Sequence, residues 1–285
     1  MRWKGRRESD NVEDRRSLAG PGVALGGIGS VVLVVLYLLL GGDPQALMNS
    51  GGPGLQPQSS GTAQIDPAEE EAAKFVRVVL ADTEDVWNQL LPSMGRPYQE
   101  PRLVLFRGRV ESACGLANAA VGPFYCPADQ QVYLDLQFFD ELRARFGAPG
   151  DFAQAYVVAH EVGHHVQQLL GISEQVHRQQ QALGETQANQ LSVRLELQAD
   201  FLAGVWAHHV QRQSNILDPG DLEEGLTAAN AIGDDRLQKQ GQGYVVPDSF
   251  THGTSAQRIK WFRRGYESGD LSIAQQLFQM PYGDL

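Results

Sequence analysis

The chain has 285 residues, enough for one large domain or two small ones with a full core. It carries 23 basic and 34 acidic residues, and six of the basic ones (Arg2, Lys4, Arg6, Arg7, Arg15, Arg16) stand within the first 22. Without that stretch 17 basic and 30 acidic residues remain, a net of −13, which excludes a basic face for nucleic acid, so no nucleic-acid partner is expected.

Residues 1–22 therefore read as a basic tail. Residues 23–40, "VALGGIGSVVLVVLYLLL", hold no charge, and at the helical rise they reach roughly 27 Å, about the hydrocarbon thickness of a bilayer. They are expected to form one retained transmembrane helix. A cleaved signal peptide is the rival reading, but "LLLGGDPQA" makes a poor cleavage site. Six Lys/Arg precede the segment and the next basic residue after it is Lys74, so the flanking charge predicts a cytoplasmic N-terminus and everything beyond residue 40 outside. Residues 41–63 draw 15 of their 23 positions from Gly, Pro, Ser and Gln and read as a flexible linker, leaving 64–285 as the folded domain.

In that domain Asp66 reads as an N-cap, Pro67 as the first helical residue and Glu69 as the acid of a capping box, ahead of an apolar stripe through Phe75, Val76, Val79, Val86, Trp87 and Leu90. "RLVLF" (102–106) and "QVYLDL" (131–136) read as strands, the latter a candidate to pair with an extended ligand. Between them Cys114 and Cys126 are a candidate disulfide for an oxidising compartment. Helices are predicted at 151–170, 185–212, 219–239 and 255–267, with a short one near 271–279; Asp151 and Gly171 flank the first, and Asp218-Pro219 opens the third. The expected fold class is mostly α with a small β-sheet.

The helix at 151–170 contains His160-Glu161-Val162-Gly163-His164. Residues four apart share a helix face, so His160 and His164 can hold one metal ion, with Glu161 on the adjacent flank to take a proton from water. His165 lies about 100° further round and reads as a packing residue or a supporting contact. A catalytic zinc needs a third protein ligand. Glu196 supplies it on the next long helix, from a face of small or polar residues, and Asp200, one turn on, is placed to hold a ligand histidine's free ring nitrogen. His208 and His209 are the rivals for that third position. Two nitrogens and one oxygen suit Zn2+ best.

These residues resemble a known family, the neutral zinc metallopeptidases of bacteria, membrane-anchored proteins of the His-Glu-x-x-His class. The likeness runs through "MRWKGRRESDNVEDRR", "GPFYCPADQQVYLDLQFF", "AHEVGHHVQ" and "DSFTHGTSAQRIKWFRRG". It implies a zincin-like metallopeptidase domain on the outer side of the bacterial inner membrane, with His160 and His164 as ligands and Glu161 as the catalytic acid. Glu196 and Asp200 are similar to the gluzincin Glu-x-x-x-Asp. "Thr-His" at 251–252 looks like the Thr-His-Pro of related membrane peptidases, but Gly253 stands where that stretch has proline, which leaves His252 and Arg258 without an assigned role.

The expected activity is zinc-dependent hydrolysis of a peptide or protein substrate, with Glu161 as general base and His252 a candidate donor to the oxyanion, or else an ordinary loop histidine. The alternative is a catalytically silent, zinc-stabilised binding protein tethered to the membrane, which would have no use for Glu161.

Overall fold

The computed structural model describes residues 1–18, 66–118 and 122–285. Met1–Arg16 and Asp66–Leu285 form one compact unit; Ser17–Ile65 separates from it, and only Ser17 and Leu18 of that stretch are described. The expected membrane helix at 23–40 and linker at 41–63 lie outside the described residues, among which no helix is long and apolar enough to cross a membrane.

Helix α1 (Pro67–Leu90) starts as expected: Asp66 accepts the Ala68 N–H at 2.9 Å, and Pro67 occupies the first turn, where its missing N–H costs nothing. Glu69 does not close a capping box. Its carboxylate is taken by the Arg107 guanidinium, a charge-assisted pair that outcompetes a single backbone N–H.

The predicted strands form as β2 (Arg102–Phe106) and β6 (Gln131–Asp135) and pair in parallel, Leu103 beside Val132 and Leu105 beside Leu134. The small mixed sheet runs β1 (Val12–Asp14), β2, β6, β5 (Phe124–Cys126), with β5 antiparallel to β6. β6 therefore has a neighbour on each side and no free edge for a ligand strand, contrary to expectation; β1 and β5 are the edges. Strands β3 (Arg109–Ser112) and β4 (Gly115–Asn118) make a separate hairpin, and the Cys114–Cys126 disulfide ties its turn to β5.

Residues 1–16 are not a free tail. β1 lies parallel to β2, Val12 beside Leu103 and Asp14 beside Leu105. Arg6 reaches Asp82 at 2.5 Å, Arg7 reaches Glu84 at 2.8 Å, and buried Arg16 binds both Asp14 and Glu70. Asp82 and Glu84 are themselves buried, so these arginines answer charges that α1 carries into the interior. In the sequence they read as a basic tail, because Asp82, Glu84 and Glu70 stand 76, 77 and 54 residues from Arg6, Arg7 and Arg16.

The helices that follow are α2 (Gln137–Ala144), α3 (Asp151–Leu169), α4 (Ile172–Gln180), α5 (Glu185–Ser214), α6 (Asp221–Ala231), α7 (Asp234–Gln242) and α8 (Ser255–Ser268), with 3-10 segments after them at Leu271–Phe278 and Tyr282–Asp284. The mostly helical class is as expected, though α2 and α4 were too short to stand out. Gly150, not Asp151, caps α3, and Gly171 follows its end at φ +75°, a left-handed turn that glycine adopts without strain. The single helix expected at 219–239 is two. It opens at Asp221 after Gly220, and breaks at Gly233, where an added Cβ would sit 2.4 Å from the Ser255 nitrogen. α5 and α8 cross at a glycine pair: a Cβ on Gly204 would meet the Phe262 carbonyl oxygen at 2.1 Å, and one on Gly265 would meet that of Phe201 at 2.1 Å. Their side chains, with Phe152, Trp206 and Trp261, fill the core beneath the site.

Candidate metal centre

Two helix backbones have to come close before their side chains can share an ion. Gly163, inside the His-Glu-x-x-His turn, lies against Ala199 of α5, so near that a Cβ there would stand 3.0 Å from the Ala199 carbonyl oxygen. That approach carries Glu196 between the two histidines. Its carboxylate oxygens lie 3.2 Å from His160 Nε2 and 3.4 Å from His164 Nε2. Ligands at 2.0–2.1 Å on the corners of a tetrahedron are about 3.4 Å apart, so these edges match the spacing of a zinc site. The structure thus brings together the three residues expected to bind metal, their donor atoms all within 4.8 Å of one another.

The ring nitrogens facing away are held. His160 Nδ1 donates to Asp200 at 2.9 Å, as expected for a residue one turn after Glu196. Asp200 is fully buried and also takes the Arg258 Nε–H at 2.8 Å, the Arg258 Nη2–H at 3.0 Å and the Tyr156 hydroxyl. Arg258 reaches it because the α5–α8 glycine crossing sits one turn from Asp200. His164 Nδ1 donates to Gln167 Oε1 at 2.9 Å, and Gln167 is anchored in turn by donating to the Leu195 carbonyl and to Gln198. Both histidines therefore present Nε2 to the same point.

The electrostatics favour a cation there. Burial works against a charged His160, yet Asp200 and then Glu196 outweigh it and push its pKa up to about 9; His164 is raised in the same way against burial, by Glu196. Burial would raise Glu196, but the two histidines hold it well below the usual carboxylate range, and Arg258 with His160 keeps Asp200 low against its own burial. A buried group of ring nitrogens and ionised carboxylates is the donor set that zinc takes, and the residues fit it.

The centre opens into a cleft of about 1100 Å³. Glu161 lines it, and its carboxylate makes no hydrogen bond among the described residues. His252 lines it from the loop before α8. Asp234, the first residue of α7, accepts the backbone N–H groups of Thr251, His252 and Gly253 and lies 3.2 Å from His252 Nδ1. That bond raises the His252 pKa, and the same contacts hold Asp234 low against its burial. Edge strand β5 contributes Phe124 and Tyr125 to the cleft wall.

His165 is a packing residue, as the helical period implied: buried, it accepts the Tyr125 hydroxyl hydrogen at Nδ1 and donates from Nε2 to the Gln99 carbonyl at 2.6 Å, which fixes β5 against α3. His208 and His209 bind the carbonyls of Tyr266 and Gly269 and do not join the site. Sequence reasoning missed Tyr156, Gln167 and Asp234. Tyr156 lies one turn before His160 and Gln167 one turn after His164's predecessor, so the face that found the ligands also held their supports. Asp234 had no such signal.

The family described as "Putative neutral zinc metallopeptidase" matches residues 1–276. "Uncharacterized protein YpfJ" of Escherichia coli strain K12 is 56% identical over 279 residues, covering 95% of this chain and 96% of its own length. "Uncharacterized protein Mb2605" of Mycobacterium bovis and "Uncharacterized protein Rv2575" of Mycobacterium tuberculosis are each 45% identical over 217 residues, 71% of either chain. No solved structure matches.

Proposed function

We propose that this chain, which belongs to the family described as "Putative neutral zinc metallopeptidase", hydrolyses peptide bonds with a zinc ion held by His160, His164 and Glu196. The observation that carries this reading is the convergence of two Nε2 atoms and one carboxylate at zinc spacing, beside a cleft that Glu161 also lines. Zinc in such a site supplies Lewis acidity and lowers the pKa of water toward about 7.

The protein's own groups do the rest. Glu161 takes a proton from the attacking water and later passes it to the leaving amine. Asp200, fixed by Arg258 and Tyr156, keeps the proton of His160 on Nδ1 so that Nε2 stays a donor. Asp234 instead favours the protonated ring of His252, whose Nε2–H then donates to the oxyanion as it develops. An extended peptide adds to the open edge of β5 by strand pairing, which presents its backbone to the centre. The Cys114–Cys126 disulfide suits an oxidising compartment, so the centre works outside the cytoplasm.

The test uses the full chain, purified with zinc, and a fluorescently labelled unfolded protein as substrate. Cleavage stops on chelation and returns with added zinc. Glu161→Gln keeps its zinc and loses at least about 100-fold in rate. Unchanged turnover in Glu161→Gln would contradict the mechanism, and a wild-type chain that binds zinc yet cleaves nothing would favour a structural site.

A further inference from the structure

A hydrogen-bonded sheet cannot have its strands on opposite faces of a membrane. β1 lies at residues 12–14, before the apolar segment 23–40, and its neighbour β2 lies at 102–106, after it. The two ends of the intervening chain also meet: Arg16, where the first stretch leaves the compact unit, contacts Glu69 and Glu70 at the start of α1, where the chain returns. One passage across the hydrocarbon layer would part these ends by about 30 Å. Residues 41–63, where Gly, Pro, Ser and Gln fill 15 of 23 positions, do not have the composition of a second, returning span.

The flanking charges point the same way. All six basic residues before the segment are ion-paired inside the folded unit: Arg2 with Asp218, Lys4 with Glu71, Arg6 with Asp82, Arg7 with Glu84, Arg15 with Glu13, and Arg16 with Asp14 and Glu70. Charges spent on acids of the folded domain are not available to anchor a tail in the cytoplasm.

We infer that residues 1–16 and the metal centre lie on one and the same side of any membrane the chain meets, held there by the β1–β2 pairing. The N-terminal strand then belongs to the working domain. The inference is independent of the zinc chemistry and stands or falls without it.

Single cysteines at Lys4→Cys and Glu185→Cys, both exposed, test it in cells that express the full chain, the native pair being closed as a disulfide. A membrane-impermeant maleimide is applied before and after permeabilisation. Both positions label together, to within about two-fold, from whichever side the domain faces; labelling of one before and the other only after permeabilisation overturns the inference. In a second measurement, Glu13→Cys with Arg102→Cys, whose native side chains touch at 3.2 Å, is treated in intact membranes with a short bifunctional maleimide. Cross-linking within the chain is expected, and its absence, with both cysteines reactive, counts against the shared sheet.

Discussion

Each ligand histidine has two ring nitrogens, and the protein's work is to decide which one faces the ion. Asp200 and Gln167 make that choice for His160 and His164. Asp200→Asn keeps the shape but loses the charge, and its zinc affinity should fall about 10- to 100-fold in a competition titration with a chromophoric chelator. An unchanged affinity would show that Asp200 serves packing alone. The pair of His252 and Asp234 gives a pH signature. The bond to Asp234 raises His252 above 6.5, so its contribution is full below 6.5 and fades as pH rises through the raised value. Asp234 is held below 3.8, so its contribution is present above 3.8 and fades only as pH falls through the lowered value. The stability gap between wild type and Asp234→Asn, measured by denaturant titration, should thus be widest between 3.8 and 6.5 and narrow in alkali. At this scale the sequence was most legible where one helix held the answer: His160, Glu161 and His164 follow from the helical period, and Glu196 and Asp200 from the same logic on α5. Asp234 was not legible, since it serves a residue 18 positions on through a helix break that no periodicity announces.

Helix contacts set how closely those residues meet. Gly163 against Ala199 brings α3 to α5, and Gly204 against Gly265 brings α5 to α8, which delivers Arg258 to Asp200. A methyl group at Gly204 meets backbone at 2.1 Å, which no rotamer change relieves. Gly204→Ala should therefore cost about 3 kcal/mol in thermal or chemical unfolding, the upper end for overpacking, and should weaken zinc binding through the displaced Arg258. A stability within 0.5 kcal/mol of wild type, a margin typical of surface substitutions, would mean that the crossing is looser than described. The long helices were visible because each shows many turns of one pattern. β5 was not, being three residues long and recognisable only through β6, and for that reason the ligand-pairing edge was first placed on β6.

Across the whole molecule, folding joins the first 16 residues to the rest. Burial pushes the Asp82 carboxyl above its usual range even with Arg6 beside it, so removal of Arg6 leaves an ill-solvated acid. Arg6→Ala should cost about 2–3 kcal/mol, less than a fully buried pair because Arg6 is partly exposed. A chain begun at residue 64 should melt lower still, having lost β1 and every pair that residues 1–16 make. If the shortened chain melts with the full one, β1 is an ornament of the fold. This level was the least legible. The basic run looked like a tail because sequence shows charge and not partners, and a three-residue strand 90 positions from its neighbour leaves no local trace.

The most direct measurement counts metal. Full-length wild type and the variants His160→Ala, His164→Ala and Glu196→Ala, exchanged into zinc-buffered solution, are assayed by plasma mass spectrometry, with circular dichroism to confirm that each is folded. Wild type should hold one zinc per chain and each folded variant should lose it; zinc retained at full occupancy in Glu196→Ala, or none bound by wild type, would contradict a centre built from those three side chains.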